Sequence, residues 1–469
     1  MSMKSILCAL LAVGLSVSAA YAEPSVKRSG STITVKEALT DDGISQAKEF
    51  AGKIKTPTFK LENINDADLV KFCQTFPDAT SIDIKGKKDE LTSIAPVAGL
   101  KKLTSFEMDA ESVADMSPLA NLKLIKLELT SDAMGPDLKW MAGLTGLKEV
   151  EINAGNSLTS FEGFPTLSGN PRVTINDLAP LAKMPNLSEL NLYGATVKDF
   201  SPLANCEKLK KLTYYAVKEA DFSTLGALKQ IVELNGGLTK LDNIAFVAEL
   251  PALRVFDVFA EYVTDYSPLA SSKVEKLQIW NMRVPVGDLG SVGKTKTLKE
   301  LKLWSVDGAT NSAALAELTE LQKFTITSEY NKKSGDPFDM ACAKGWGKLK
   351  EMSITGAKIV NAGNMAALTS MEKLTLVKVN VEGEPFSLSG LAKLSNLNSV
   401  RINDSQIADF EALAGCSGLT YVEMKGSKGI SSLAPLKALP NLKRIIVSKG
   451  AFPDAELSGF AQNVKVEQR

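Results

Sequence analysis

The chain contains no histidine in its 469 residues. That absence removes imidazole acid–base chemistry, the Ser-His and Cys-His nucleophile pairs, and the commonest metal ligand. Cysteine is scarce at five residues, and Cys8 lies in the apolar N-terminal stretch. The folded protein is left with Cys73, Cys206, Cys342 and Cys416. Long apolar runs are missing beyond Ile6–Ala20, which is too short for a permanent membrane anchor. Net charge is missing too, because 54 Lys plus Arg balance 54 Asp plus Glu. No global field favours nucleic acid or an anionic membrane. Aromatic residues make up only 6% of the chain, so any concentration of them carries information.

The N-terminus reads as a secretory signal over residues 1–22. A short basic segment, Met1–Lys4, precedes the apolar stretch, and Ala20-Tyr21-Ala22 forms an Ala-x-Ala cleavage site. Cys8 sits inside the stretch rather than just after a cleavage site, which argues against a lipoprotein anchor. Asn463 to Arg469 shows no hydrophobic tail or sorting signal. The expected product is exported, periplasmic or extracellular, and uninserted in the membrane after cleavage.

What the chain does have is a repeat. Ser-Pro-Leu-Ala occurs at Ser117–Ala120, Ser201–Ala204 and Ser267–Ala270, with variants at Ala179–Ala182 and Ala434–Lys437. Each follows an apolar or aromatic residue and precedes a leucine ladder. The unit returns about every 22 residues, as from Leu91 to Val113 and from Leu241 to Val263, and such a period marks a solenoid. Aligned ladders give one strand per turn, with cores such as Ile82-Asp-Ile84, Leu127-Glu-Leu129, Leu190-Asn-Leu192, Leu301-Lys-Leu303 and Val422-Glu-Met424. Their period-two alternation turns one side to a core and the other to solvent. Stacking the turns buries what one turn alone cannot.

Ser117, Ser201 and Ser267 are expected to cap short helices, with the following proline at the first helical position. Asp115, Asp199 and Asp265, two residues before each serine, are expected to accept bonds from nearby backbone N–H groups. The repeated Asp-x-Ser-Pro-Leu-Ala step and its ladder resemble internalin-type, more broadly bacterial, leucine-rich repeats over approximately Phe59 to Gly450. The resemblance implies an α/β leucine-rich-repeat solenoid, with a parallel concave sheet and short helices or 3-10 turns on the convex side. The chain departs from the pattern where the stacking asparagine should stand, which is Glu111, Ala195 and Val306 here. Leu158–Arg172 and Ser328–Pro337 are irregular. A host-cell adhesion role does not carry over.

This reading places an N-terminal cap at 23–58, the solenoid at 59–450 and a C-terminal cap at 451–469. Ser31–Val35 as a strand and Asp41–Lys53 as a helix would form the first cap. Phe452, Leu457, Phe460, Val464 and Val466 suggest a helix and a closing strand for the other. Cys206 and Cys416 share the ladder position of Leu100 and Met184. About nine turns, roughly 43 Å, separate them, beyond disulfide reach. Buried free thiols are expected.

The residue after each strand core should project from the concave face. That column runs Asp109, Thr130, Asn153, Tyr193, Tyr215, Phe259, Trp280, Trp304, Thr327, Thr355, Val377, Asn403, Lys425, Ser448. Its middle is aromatic, a stripe of roughly 20–30 Å. The repeat around Ile231–Asn235 aligns poorly and would interrupt the run with Leu234 or Asn235. Asp257, Gln278, Glu300 and Lys302 form a mixed polar rim. Such rings anchor interfaces or stack on sugars. The alternative is that they cover one another, or lie under a loop such as Tyr330–Asp336, and only stabilise the sheet.

Glu107, Glu128 and Glu151 share the strand-centre position. Carboxylates about 5 Å apart repel, so the group holds a proton, attracts a cation, or forms a solvated acidic face. The spacing also invites a glycosidase-like reading. An open sheet, however, gives no pocket to raise one carboxyl's pKa. The function read from the sequence is a non-enzymatic binding protein without a cofactor, using the stripe on a protein partner. An extended glycan on the same stripe, or a scaffold using its convex side, stays open.

Overall fold

The structure is a computed structural model. It describes residues 26–36, 39–154, 158–161, 164–167, 174–175, 177–217, 219–237, 239–259, 262–280, 284–328 and 337–469. The expected signal segment 1–22 and the Tyr330–Asp336 loop lie outside the described residues. Two compact units are present. The first comprises Met1–Ser157, Ser168–Asn176 and Lys183–Leu187, and the second Leu158–Leu167, Asp177–Ala182 and Ser188–Arg469.

In the first unit, β1 (Val26–Ser29) runs antiparallel to β2 (Thr32–Lys36). From β2 onward the pairing is parallel through β3 (Thr58–Ile64), β4 (Ser81–Gly86), β5 (Ser105–Asp109), β6 (Lys126–Thr130) and β7 (Glu149–Asn153). Parallel neighbours need a long crossover. The first two crossovers are helices α1 (Asp41–Ala51) and α2 (Asp66–Thr75). Thr40 caps α1 by accepting from Gly43 N at 3.1 Å. A reciprocal capping box between Asn65 and Asp68 starts α2. Asp68 also accepts from Leu39 N at 2.8 Å, which ties the two helices' approaches together. Later crossovers are single 3-10 turns such as Ala95–Gly99 and Ser117–Leu119.

The second unit repeats one register throughout. Its parallel strands are β8 (Glu189–Tyr193), β9 (Lys211–Tyr215), β10 (Glu233–Gly237), β11 (Val255–Val258), β12 (Lys276–Ile279), β13 (Glu300–Leu303) and β14 (Lys323–Thr327). They continue as β15 (Glu351–Thr355), β16 (Lys373–Val377), β17 (Ser399–Asn403), β18 (Tyr421–Lys425), β19 (Arg444–Val447) and β20 (Lys465–Gln468). Leu190, Leu212, Leu234, Phe256 and Leu277 stand opposite one another with no offset, and Leu374, Val400, Val422 and Ile445 do the same. All of these side chains are buried. Full burial of one such side chain contributes roughly 1.5–3 kcal/mol. Within the irregular stretch, Leu158–Phe161 and Phe164–Leu167 form an antiparallel hairpin.

The aspartates behave as the spacing predicts, and the serines do not. Asp115, Asp199 and Asp265 accept from the N–H of Ser117, Ser201 and Ser267 at 2.8, 2.7 and 2.8 Å. The serines themselves begin the 3-10 turns and make no cap bond. Ser201 and Ser267 instead donate to the other oxygen of the same aspartate, at 2.9 and 3.0 Å. Each serine is the first residue of its turn rather than the residue before it, so its hydroxyl is not at the capping position.

Cys73, Cys206, Cys342 and Cys416 are free and buried. Cys206 and Cys416 donate to Leu181 O and Leu391 O, at 3.3 and 3.1 Å, in the neighbouring turn. Cys73 lies on α2 rather than at the end of a 3-10 turn, and Cys342 belongs to the turn Met340–Gly345. Burial pushes the Cys206 and Cys416 thiols up to about 11.

Candidate functional site

The alternation that buries Leu190 and Leu192 turns Glu189, Asn191 and Tyr193 to the open face of the sheet. Zero-offset pairing then sets Tyr193 beside Tyr215, and their rings stack at 6.1 Å between centroids. Glycine interrupts the row next. Gly237, not Leu234 or Asn235, stands opposite Tyr215, because β10 follows the common register. Leu234 is buried in the core, and Asn235 occupies the strand-centre position beside Asp257. A Cβ on Gly237 would come within 2.3 Å of Phe259 Cβ. The missing side chain lets Phe259 cover the gap and meet Tyr215 edge-on, at 6.3 Å.

Beyond the gap the rings close up. Phe259 stacks on Trp280 at 3.5 Å, and Trp280 on Trp304 at 3.7 Å with planes only 15° apart. The Lys302 ammonium sits 3.6 Å from the Trp304 ring centroid, a cation–π contact. Phe259 and Trp280 are only 3% and 4% exposed, whereas Tyr193, Tyr215 and Trp304 are half-buried. The expected stripe is therefore one row of rings with a packed centre and accessible flanks.

The polar rim divides in two. Asp257, Gln278 and Lys302 share the strand-centre column. Asp257 accepts from Gln278 Nε2 at 2.6 Å and from Trp280 Nε1 at 3.4 Å, which fixes the buried indole. Burial holds the Asp257 carboxyl above its ordinary value, against the bonds from Trp280 and Gln278 and the charges of Lys276 and Lys302. Burial also lowers Lys302, against the attraction of Asp257 and Glu300. Glu300 stands one column away, between Lys276 at 3.8 Å and Lys323 at 3.6 Å. It belongs to an outer line of ion pairs rather than to the ring contacts.

In the first unit, Glu107, Glu128 and Glu151 align as the repeat predicts, and Asp83 extends the column. Lys60 lies 3.3 Å from Asp83 and Lys126 2.5 Å from Glu128, leaving Glu107 between two carboxylates. Partial loss of solvent among its neighbours, then repulsion from Asp83 and Glu128, pushes Glu107 up to about 7. The shift predicts a pH effect. The folded state holds a proton on Glu107 that the unfolded chain has lost, so stability falls as pH rises from about 4.5 to about 7. Glu107 is exposed, so screening limits the loss to about 1 kcal/mol. Denaturant midpoints of Glu107→Gln should lose this slope, and an unchanged slope would refute the assignment. Among the described residues, no group of three or more Cys, Asp or Glu is arranged to hold a metal ion.

The sequence did not single out the cluster around Glu423 on β18. Tyr421, Asn403, Lys425 and Arg401 all donate to this buried carboxylate, at 2.5, 3.0, 3.0 and 3.1 Å. Burial alone would raise Glu423, but the bonds from Tyr421, Asn403 and Lys425 and the Arg401 charge pull it down to about 2.

No protein-family model matches the chain, and no curated protein matches it. Solved structures do. A leucine-rich-repeat protein of Leptospira interrogans is 13% identical over 92% of each chain, with a TM-score of 0.51. TLR13, solved in complex with ssRNA13, is 12% identical over 88% of this chain and 65% of its own, with a TM-score of 0.57. Internalin InlF of Listeria monocytogenes is 21% identical over 76% of this chain and 83% of its own, with a TM-score of 0.41. No helix among the described residues is long and apolar enough to cross a membrane. With its in-register parallel strands and 3-10 crossovers, the chain has the leucine-rich-repeat solenoid fold, the α/β architecture its repeats predict.

Proposed function

We propose that this chain is an exported, non-catalytic binding protein that recognises a protein surface through the open sheet face at Tyr193, Tyr215 and Trp304. The observation that carries this reading is the row of rings held together over β8 to β13 on the open face of the sheet. Anchors of this kind dominate protein interfaces when a polar rim surrounds them. Asp257, Gln278 and Lys302 supply that rim, with Glu300 further out. A histidine-free chain with an open sheet suits recognition better than catalysis. Export rests on the N-terminal signal read from residues 1–22.

Ring geometry favours protein over an extended glycan. A sugar stacks on a ring face. Here Phe259, Trp280 and Trp304 use their faces on one another, and the Lys302 ammonium lies over the Trp304 ring. Tyr193 and Tyr215 likewise stack on one another. The test uses Tyr193→Ala, Tyr215→Ala and Trp304→Ala together, leaving the buried Phe259 and Trp280 in place. Pull-down from native extract should lose the partner the wild type captures, while a glycan array stays blank for both. Undiminished capture by the folded variant would move recognition off this face, and a glycan signal would reverse the choice of ligand.

A further inference from the structure

We propose that β17–β20 carry a second binding site, separate from the ring stripe, for an acidic peptide segment whose carboxylates are spaced along it. The site is a cavity of about 520 Å³ on the open face of the sheet. Its floor is Ile446, 3% exposed, which pairs between Glu423 on one side and Glu467 on the other. Both carboxylates are already covered from within the chain. Arg401 and Lys425 hold Glu423, at 3.1 and 3.0 Å. Arg444, Lys465 and Arg469 hold Glu467, at 2.8, 3.0 and 2.6 Å.

Five cations thus face two carboxylates in a chain whose total charge is zero, so the positive excess is local. Arg401 and Arg444 commit Nε to Glu423 and Glu467, and their side chains stay 48% and 38% exposed. Their outer nitrogens therefore lie within reach of solvent. Planar guanidinium forks held this way suit bidentate recognition of a carboxylate. Arg444 also lies 5.9 Å from the Tyr421 ring centroid, which limits how it can swing. The two built-in carboxylates decide between anions. Glu423 and Glu467 oppose a dense polyanion such as a phosphate backbone and leave room for the more widely spaced carboxylates of an acidic peptide.

The test measures fluorescence anisotropy of a labelled short peptide alternating Glu and Leu against the full chain. A Gln-for-Glu version and a short single-stranded oligonucleotide serve as comparisons. The acidic peptide should bind, weakening as salt rises, and the neutral peptide should not. Arg401→Lys with Arg444→Lys keeps Glu423 and Glu467 neutralised while removing the forks, so folding is preserved. Affinity should fall about fivefold in that variant and about tenfold or more in Arg401→Gln with Arg444→Gln, while Trp304→Ala leaves it unchanged. Absence of peptide binding would overturn the proposal. So would equal binding of the neutral peptide, tighter binding of the oligonucleotide, or unchanged affinity in the folded Lys variant. Failure of the ring-stripe reading has its own signature, since only the Tyr193, Tyr215 and Trp304 variants report on it.

Discussion

Trp280→Ala should lower the stability of the second unit by about 3–5 kcal/mol, the cost of emptying a site built around a buried indole. Trp280 is 4% exposed, lies between Phe259 and Trp304 at 3.5 and 3.7 Å, and donates to Asp257. Truncation removes both stacking contacts and leaves a buried carboxyl without one of its donors. Trp304→Ala should cost less, about 1–2 kcal/mol, because its ring is half-buried and loses one ring partner. Circular dichroism against denaturant gives both values without relying on tryptophan emission. A loss below about 1 kcal/mol for Trp280→Ala would show that the ring stack adds no more than a surface contact. The contrast between the two variants separates the row's structural centre from its accessible flank.

Glu423→Ala should be the other severe substitution, at about 2–3 kcal/mol near neutral pH. Removing one partner of a buried ion pair costs more, about 3–5 kcal/mol, but Arg401 is 48% and Lys425 39% exposed, and water recovers part of their charge. The pH dependence identifies the cause. Glu423 is held at about 2 in the folded protein, below its ordinary 4.5, so its contribution is complete above about 4.5. It is lost as pH falls from there towards about 2. Wild type and Glu423→Ala should therefore converge in stability on acidification, as followed by denaturant midpoints from neutral to acid pH. A gap that stays constant across that range would show that the loss comes from packing rather than from charge.

Much of the architecture was legible because it depends on local alternation. Leu190-Asn-Leu192 or Val422-Glu-Met424 declares which side faces the core, and its recurrence does the rest even though the step varies, as from Val255 to Lys276 and from Lys323 to Glu351. The positions of Glu107, Glu128 and Glu151 followed directly. Where glycine replaces the alternation the signal fails, so Leu234 or Asn235 is expected where Gly237 fills the position. The depth of Trp280 was also hidden, since burial on an open face comes from neighbours about 22 residues away rather than from its own strand. The serine caps misled for a different reason. Serine is a good cap for an α-helix, but here each serine begins a 3-10 turn, and the aspartate two residues earlier accepts from the serine N–H. The Glu423 cluster escaped notice because Arg401, Glu423, Arg444 and Glu467 look unremarkable along the chain and meet only across strands.

The absence of any offset between β8 and β20 makes each turn of the second unit an interchangeable part. Duplicating or deleting one whole turn would lengthen or shorten the open face while leaving every remaining side chain on its present side. A single-residue insertion inside a strand would invert that strand's two faces. The distance between the ring row and the Glu423 cluster is therefore set in whole-turn steps, and changing it by a turn leaves both ends as they are.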